Sequence, residues 1–344
     1  CIRDRYMNAL VIGGGGFLGR HVVRKLRNRG DRVRVLGRRA YLDLAVQGVE
    51  CCCADISDVE ALIAACAGMD AVFHIAAKVG IWGSRQDYYQ TNVIGTKNVI
   101  AACRRTGVKR LVYTSTPSVV YSDKPIEGGD ESLTYASRFL CHYAATKAEA
   151  EQDVLAANQP GVLRTCALRP HLVWGPGDTN LLPRLLARSR SGRLYRIGEG
   201  RNLISVSYVE NIADAHIAAC DRLGDDSAVV AGKAYFVNDP EPVHAWDFID
   251  LILRSCGCPV PRRSLPFWLA YAIAACFEAI YAAAGWRQEP LLTRFLVLQL
   301  ATSHWFKCER AQREIGWQPA ISQEEGLRRL SAELSAKLGE LPPA

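Results

Sequence analysis

The run Gly13-Gly14-Gly15-Gly16-Phe17-Leu18-Gly19 constrains this chain more than any other stretch, because of what flanks it. Asn8–Ile12 is a short apolar run of the kind that forms a buried parallel strand, and Phe17–Arg29 carries apolar side chains at helical spacing with basic residues between them. Strand, glycine turn and helix in that order bring side-chain-free backbone to the free N–H groups of a helix end, which is what a dinucleotide pyrophosphate needs. The glycines satisfy two registers, Gly14-x-Gly16-x-x-Gly19 and Gly13-x-x-Gly16-x-x-Gly19, and spacing alone does not choose between them. A turn that serves only close packing is the plainer alternative. On the binding reading, Gly13, Gly16, Phe17, Leu18 and Gly19 meet the cofactor, and the fold class is α/β, a Rossmann-type doubly wound parallel sheet.

The second strand, residues 31–37, runs into Arg38-Arg39. An NAD site places an acid there for the ribose 2′-hydroxyl, whereas two guanidinium groups suit the 2′-phosphate of NADP. The charge pattern agrees: the net charge is +7, and residues 24–39 hold eight basic side chains against Asp31 alone, so the rest of the chain is balanced. An excess confined to this region argues for a phosphorylated small molecule and against a nucleic-acid surface. Residues 49–54 read as a third strand that delivers Asp55 and Ile56 to the adenine, although Asp55 could equally cap the helix from about Val59.

The fourth strand, residues 71–77, leads through Ala76, Ala77 and Lys78 into a loop at the carboxyl end of the sheet, where open α/β folds build their sites. His74 within it reads as a packed core histidine. A helix follows that turns Asn92 inward, a buried amide expected to hold neighbouring backbone. Residues 110–115 form the fifth strand and end in three hydroxyls, Ser115, Thr116 and Ser118, ahead of a polar loop over 123–134. Tyr143 and Lys147 then lie one helical turn apart on one face. An ammonium beside a phenol favours the phenolate and brings the tyrosine closer to working pH, so the pair predicts proton chemistry next to a dinucleotide.

These phrases together resemble the extended short-chain dehydrogenases, and within them the 3β-hydroxysteroid dehydrogenase group, from Met7 to about Leu330. The segments GGGGFLG, VFHIAAKVGIWG, YYQTNVIGTKNV, LVYTSTPSVV, YAATKAEAE and LRPHLVWGPGD are similar to those of the bacterial 2-alkyl-3-oxoalkanoate reductases of long-chain olefin biosynthesis. The resemblance implies Tyr143 as general acid, Lys147 on the nicotinamide ribose, Thr116 as the catalytic Ser/Thr, Asn92 as the helix asparagine and Pro170 against the nicotinamide. The implied reaction is NADPH-dependent reduction of a long-chain 2-alkyl-3-oxoalkanoate to its 3-hydroxy acid. An NAD-dependent sterol or steroid 3β-dehydrogenase is the first rival and a nucleotide-sugar epimerase or dehydratase the second. A homodimer is the fold's habit. One departure is Ile12, where the family usually has Thr before the first glycine.

The expected organisation is a cofactor-binding domain over residues 7–178 with returning segments at about 205–239, and a smaller, discontinuous substrate domain over 179–204 and 240–330, with a helix over 181–194 in its first part. Residues 1–6 and 331–344 are set aside as terminal extensions. Phe267, Trp268, Leu291, Leu292, Phe295 and Leu296 suit a long apolar substrate, or simply form that domain's small core. Lys78 and Arg184 are candidates for a substrate carboxylate. Thirteen cysteines show no paired metal-ligand spacing, so no metal is expected, and free thiols in a reducing cytoplasm are the reading. No secretory signal precedes the first strand. Residues 267–286 are nearly all apolar and long enough to span a bilayer, but Glu278 within them costs insertion about 2.5 kcal/mol or more. A buried or substrate-lining helix is therefore expected, with a peripheral contact to a membrane or a partner enzyme as the alternative.

Overall fold

The computed structural model describes residues 6–225 and 229–339. Its centre is a sheet of seven parallel strands: β1 Asn8–Ile12, β2 Arg32–Gly37, β3 Glu50–Cys53, β4 Ala71–His74, β5 Arg110–Thr114, β6 Arg164–Pro170 and β7 Lys233–Val237, in the order β7-β6-β5-β4-β1-β2-β3. Strands covered on both faces need continuous apolar runs; Ala9, Leu10, Val11 and Ile12 supply one and are fully buried. The helices α1 (Phe17–Arg29), α2 (Gly95–Thr106), α3 (His142–Ala156) and α4 (Val209–Gly224) cover the sheet, α1 and α4 on one face and α2 and α3 on the other. The strand order reverses between β1 and β4, which opens a crevice at their carboxyl ends. β4 is shorter than expected, ending at His74, because Ile75 and Ala76 both turn their N–H groups onto the Ile12 carbonyl.

The polar stretch over 123–134 contains a strand, Ile126–Gly129, that runs parallel to His304–Phe306 in a second, four-stranded sheet with Leu203–Ile204 and Val243–His244. Its sequence, Ile-Glu-Gly-Gly, has no alternating pattern to announce it, and only the distant partner strand makes it one. Beyond that sheet the chain returns to the first core, where Ala311, Ile315 and Trp317 pack and the Trp317 indole donates to the Asn211 carbonyl at 2.9 Å. The helix Gln323–Gly339 carries Leu330 and Leu334 onto the Trp174 cluster, so the part of the expected C-terminal extension up to residue 339 is helical; residues 1–5 and 340–344 lie outside the described residues. The helix expected over 181–194 is Leu181–Arg190.

Phe267–Ala283 is a helix, and among the described residues no helix is long and apolar enough to cross a membrane. Ala270 and Ala274 pack with Trp246 and Val297, while Phe267, Trp268 and Ile280 are exposed. Glu278 accepts from the Arg294 backbone N–H at 2.7 Å and from its guanidinium at 2.6 Å, so this carboxylate ties the helix to the start of the next. The described cysteines are all free thiols; eight are buried, and Cys53 and Cys276 are exposed.

Candidate active site

The glycine turn is decided by its neighbours. Gly13 has a φ of 87° and an added Cβ would lie 2.7 Å from the Ala76 nitrogen, while one on Gly19 would lie 2.1 Å from the Gly13 carbonyl oxygen. Gly13 and Gly19 thus let β1, β4 and α1 meet, and Gly16, the N-cap of α1, has only the Gly13 oxygen within 4 Å of its would-be Cβ. Phe17 and Leu18 open the helix; Leu18 goes into the core. The first turn of α1 has neither a side-chain cap nor an acidic residue, which leaves its N–H groups for an anion. The ring of Tyr41 lies across this turn, in the space a side chain at Gly15 would need, and Arg20 reaches the Gly15 carbonyl at 3.1 Å.

The basic segment divides into two parts. Arg24, Lys25, Arg29 and Arg34 form ion pairs with Glu210, Asp214, Asp221 and Glu50, at 2.7–3.2 Å. Most of the local excess is therefore balanced by acids from α4 and from β3, not held for a ligand. Arg38 and Arg39 at the end of β2 are exposed and, among the described residues, have no hydrogen bond or ion pair. Asp55 is not a helix cap: its carboxylate accepts from the Ser57 N–H and hydroxyl at 2.9 and 2.8 Å, which holds its pKa below the usual value, and Asp58 caps the following helix through the Ala61 N–H. Ile56 turns into the core against Gly95, so only backbone is left at that position to face a ligand.

Asn92 stands on a single π-helical turn, Tyr89–Ile94, set between the short helix Arg85–Tyr88 and α2. Such a turn displaces a side chain from the regular helical register. The Asn92 amide accepts from the Lys78 N–H at 2.7 Å, donates to the Lys78 carbonyl at 3.1 Å and donates to the Thr146 hydroxyl at 3.1 Å, joining the Ala76-Ala77-Lys78 loop to α3. The Lys78 ammonium is engaged by Asp87 at 3.0 Å, and Arg184 is paired with Glu289, so both cations considered for a substrate carboxylate already have acids. His74 is a core histidine, bonded through Nε2 to Thr96 at 2.9 Å and lowered to about 3 by burial.

Tyr143 and Lys147 lie on the inner face of α3. Burial pushes the Tyr143 phenol above its ordinary value, while the neighbouring Thr116 hydroxyl acts the other way. The phenol is raised, not lowered as the i, i+4 spacing suggests, because desolvation outweighs the Thr116 hydroxyl, the one influence that lowers it. Lys147 is buried, donates to the Thr114 carbonyl at 2.6 Å and stands 4.0 Å over the Tyr113 ring. Burial lowers its ammonium to about 7, with Glu151 opposing. Of the three hydroxyls after β5, Thr116 meets Tyr143, Ser118 donates its N–H to Thr116 at 3.3 Å, and Ser115 Oγ is buried without a partner. Pro170 ends β6 at the same edge of the sheet.

Residues 10–267 match the model of the 3-beta hydroxysteroid dehydrogenase/isomerase family. The chain belongs to that family. It is 48% identical to the 2-alkyl-3-oxoalkanoate reductase of Stenotrophomonas maltophilia over 96% of this chain and 100% of that protein. It is 35% identical to the decarboxylating sterol-4-alpha-carboxylate 3-dehydrogenase of Mus musculus over 93% and 88% of the two chains. The UDP-glucose 4-epimerase of Thermus thermophilus, solved in complex with NAD, shares the fold with a TM-score of 0.73 at 23% identity, covering 96% of this chain and 99% of that one.

As a member of the 3-beta hydroxysteroid dehydrogenase/isomerase family, the protein is an NAD(P)-dependent oxidoreductase of the extended short-chain type acting on a small molecule. Its residues fit a nicotinamide dinucleotide: the uncapped start of α1 for the pyrophosphate, the unpaired Arg38 and Arg39 at the ribose end, and on Lys147 two ammonium donors beyond the one given to Thr114. Sequence reasoning missed Tyr41 over the glycine turn and the buried pair of Glu151 with Arg169, at 2.6 Å, one further turn along the Tyr143 and Lys147 face. The i+8 position of Glu151 was the available signal.

Unfolded, Lys147 keeps its proton up to 10.5, whereas in the fold it releases it at about 7. Across that window the unfolded chain binds more protons, so stability rises with pH, by up to about 1.4 kcal/mol per unit from this group. Lys147→Met is expected to flatten the rise in urea unfolding followed at several pH values; an unaltered slope counts against the buried ammonium.

Proposed function

We propose that this chain reduces the ketone of a long-chain 2-alkyl-3-oxoalkanoate to the 3-hydroxy acid with NADPH, as a step of olefin biosynthesis. The observation that carries the reading is Tyr143 one helical turn from a buried Lys147 that is held on the Thr114 carbonyl, beside the Thr116 hydroxyl at the carboxyl end of the sheet, in a chain 48% identical to a reductase of that name. NADPH, when bound, supplies the hydride. Tyr143 gives its proton to the alkoxide oxygen, and Thr116 hydrogen-bonds that oxygen. Lys147 holds the nicotinamide ribose and Pro170 flanks the ring. Gly13, Gly16, Phe17, Leu18 and Gly19 take the pyrophosphate, the backbone at Asp55 and Ile56 the adenine, and Asn92 fixes Ala76, Ala77 and Lys78 beside the cofactor.

The apolar helix supports a long substrate. Trp82, in the loop that follows Lys78, donates its indole N–H to the Trp286 carbonyl at 3.1 Å and meets the Tyr281 ring edge-on, so an aromatic surface runs from the active-site loop onto Phe267–Ala283. In this reading the enzyme is a cytoplasmic homodimer whose exposed Phe267, Trp268 and Ile280 meet a membrane or a partner enzyme. Oxidation of a sterol with NAD is the second reading, favoured by the 35% identity to the sterol-4-alpha-carboxylate enzyme.

The test is NADPH oxidation with a synthetic 2-alkyl-3-oxo acid, run beside NADH and beside a 3β-hydroxysterol with NAD. Turnover confined to sterol and NAD overturns the proposal. The Arg38→Ala, Arg39→Ala double variant is expected to raise KM for NADPH about 10- to 100-fold, the worth of a charge-assisted hydrogen bond or two to a phosphate, and to leave KM for NADH nearly unchanged. Equal changes for both cofactors would remove the 2′-phosphate from the account.

A further inference from the structure

His171, the residue after Pro170, is nine-tenths buried and lies edge to edge with His304, with ring centroids 4.7 Å apart and planes within 6°. The two residues come from the carboxyl end of β6 and from the second sheet. Their protons can be placed. His304 Nε2 lies 2.8 Å from the Gln299 carbonyl, which can only accept, so this nitrogen carries a hydrogen. In the neutral ring His304 Nδ1 is then an acceptor, and His171 Nε2, 2.8 Å away, donates to it. His171 Nδ1 is left as a bare lone pair, buried and without any hydrogen-bond partner. A buried polar atom in that state calls for a reason.

The next residue adds to the case. Leu172 has a φ of 42°, and among the described residues it is the sole non-glycine with positive φ. Backbone strain of this sort persists where the surroundings impose it and gathers at ligand sites. The titratable groups facing the pair are the two imidazoles themselves and the Tyr121 phenol, whose ring packs on His304 and whose oxygen is bonded to Thr302 at 2.7 Å; Phe306 and the Ser207 hydroxyl complete the surroundings. Burial and the second imidazole hold His171 well below its ordinary pKa, so the free pair is neutral.

We propose that His171, backed by His304, is the specificity-determining residue that receives the substrate carboxylate beside the reacting ketone. This rests on the reductase reading above. A 2-alkyl-3-oxo acid carries its carboxylate one carbon away from the ketone carbon, so the group that binds it belongs next to the nicotinamide, as the neighbour of Pro170 does. Lys78 and Arg184 are already held by acids. As the carboxylate binds, the pair takes one proton from solvent onto His171 Nδ1. That N–H donates to a carboxylate oxygen, while Nε2–H continues to donate to His304 Nδ1, and His304 keeps its own proton on Nε2, donated to the Gln299 carbonyl. The charged ring is thereby paired on both sides.

Two measurements on the full chain test this. In the first, kcat/KM with NADPH is compared for a 2-alkyl-3-oxo acid and for the matching ketone without the carboxyl group, in wild type, His171→Asn and His304→Gln. The acid-to-ketone ratio is expected to fall about 10- to 100-fold in His171→Asn, the loss of one charge-assisted hydrogen bond, and less in His304→Gln. A ratio unchanged in His171→Asn overturns the assignment, whether or not both rates drop. In the second, calorimetry in buffers of different ionisation enthalpy follows binding of the stable 2-alkyl-3-hydroxy acid. Uptake of close to one proton in wild type and none in His171→Asn is expected; uptake identical in both overturns the assignment. Proton-linked binding without turnover of either ketone would sink the reductase reading and keep the carboxylate site. Turnover with an unaltered ratio would do the reverse.

Discussion

Tyr143→Phe is expected to lower kcat about 10²- to 10⁴-fold, the usual contribution of a positioned proton donor, with little change in NADPH affinity. The substitution removes one oxygen and keeps the ring, so α3 and its packing stay as they are. What is lost is the proton that burial holds on the phenol, next to the Thr116 hydroxyl. Thr116→Ala should cost less, because Ser115, with a buried and unpartnered hydroxyl, stands beside it. Single-turnover reduction with bound NADPH separates the chemical step from product release. A Tyr143→Phe enzyme within a few-fold of wild type in that assay would show that the proton comes from elsewhere.

Glu151→Ala is expected to destabilise the fold by about 3–5 kcal/mol, the cost of leaving one partner of a buried ion pair alone. Glu151 is fully buried; it accepts from Arg169 Nη2 at 2.6 Å and from Arg169 Nε at 3.0 Å, and the Tyr135 phenol donates to it at 2.7 Å. Removing it strands a guanidinium between β6 and α3. Replacing both partners, as Glu151→Leu with Arg169→Met, should recover most of the loss, since an apolar pair of similar size is often as stable. Urea unfolding of the two variants measures this. Because the Glu151 charge supports the Lys147 ammonium, its removal should also move the Lys147 pKa further down and shift the pH profile of activity to lower pH.

The elements that sequence reasoning placed well are those with local causes. Phe17–Arg29 and β1 stand where periodicity and the glycine turn put them, and Tyr143 with Lys147 share one face of α3 because a helical turn brings i and i+4 together whatever surrounds it. Periods of two and 3.6 residues arise from backbone sterics acting within a few residues, so they can be read without the rest of the chain.

What the local pattern did not contain is which partner each polar group finds. The spacing of Gly13 to Gly19 admits two registers, and the close approach of Ala76, distant in the chain, sets where the left-handed turn falls. Arg24, Lys25, Arg29 and Arg34 read as a ligand-binding excess until the acids of α4 and β3 arrive beside them. Asp55 could be read from the sequence as the cap of the helix from about Val59, whereas the chain path into Val59–Cys66 gives that role to Asp58. The Tyr143 phenol shifts upward because desolvation depends on everything packed around it, whereas the neighbouring lysine was the one influence visible along the chain. His171 and His304 are 133 residues apart, and nothing in either segment marks them as a pair. Local pattern was thus enough for the doubly wound sheet, the glycine turn and the Tyr143 and Lys147 helix. Burial and long-range pairing exist only once the chain has closed on itself, and they set the charge states, the partners and the bare nitrogen of His171.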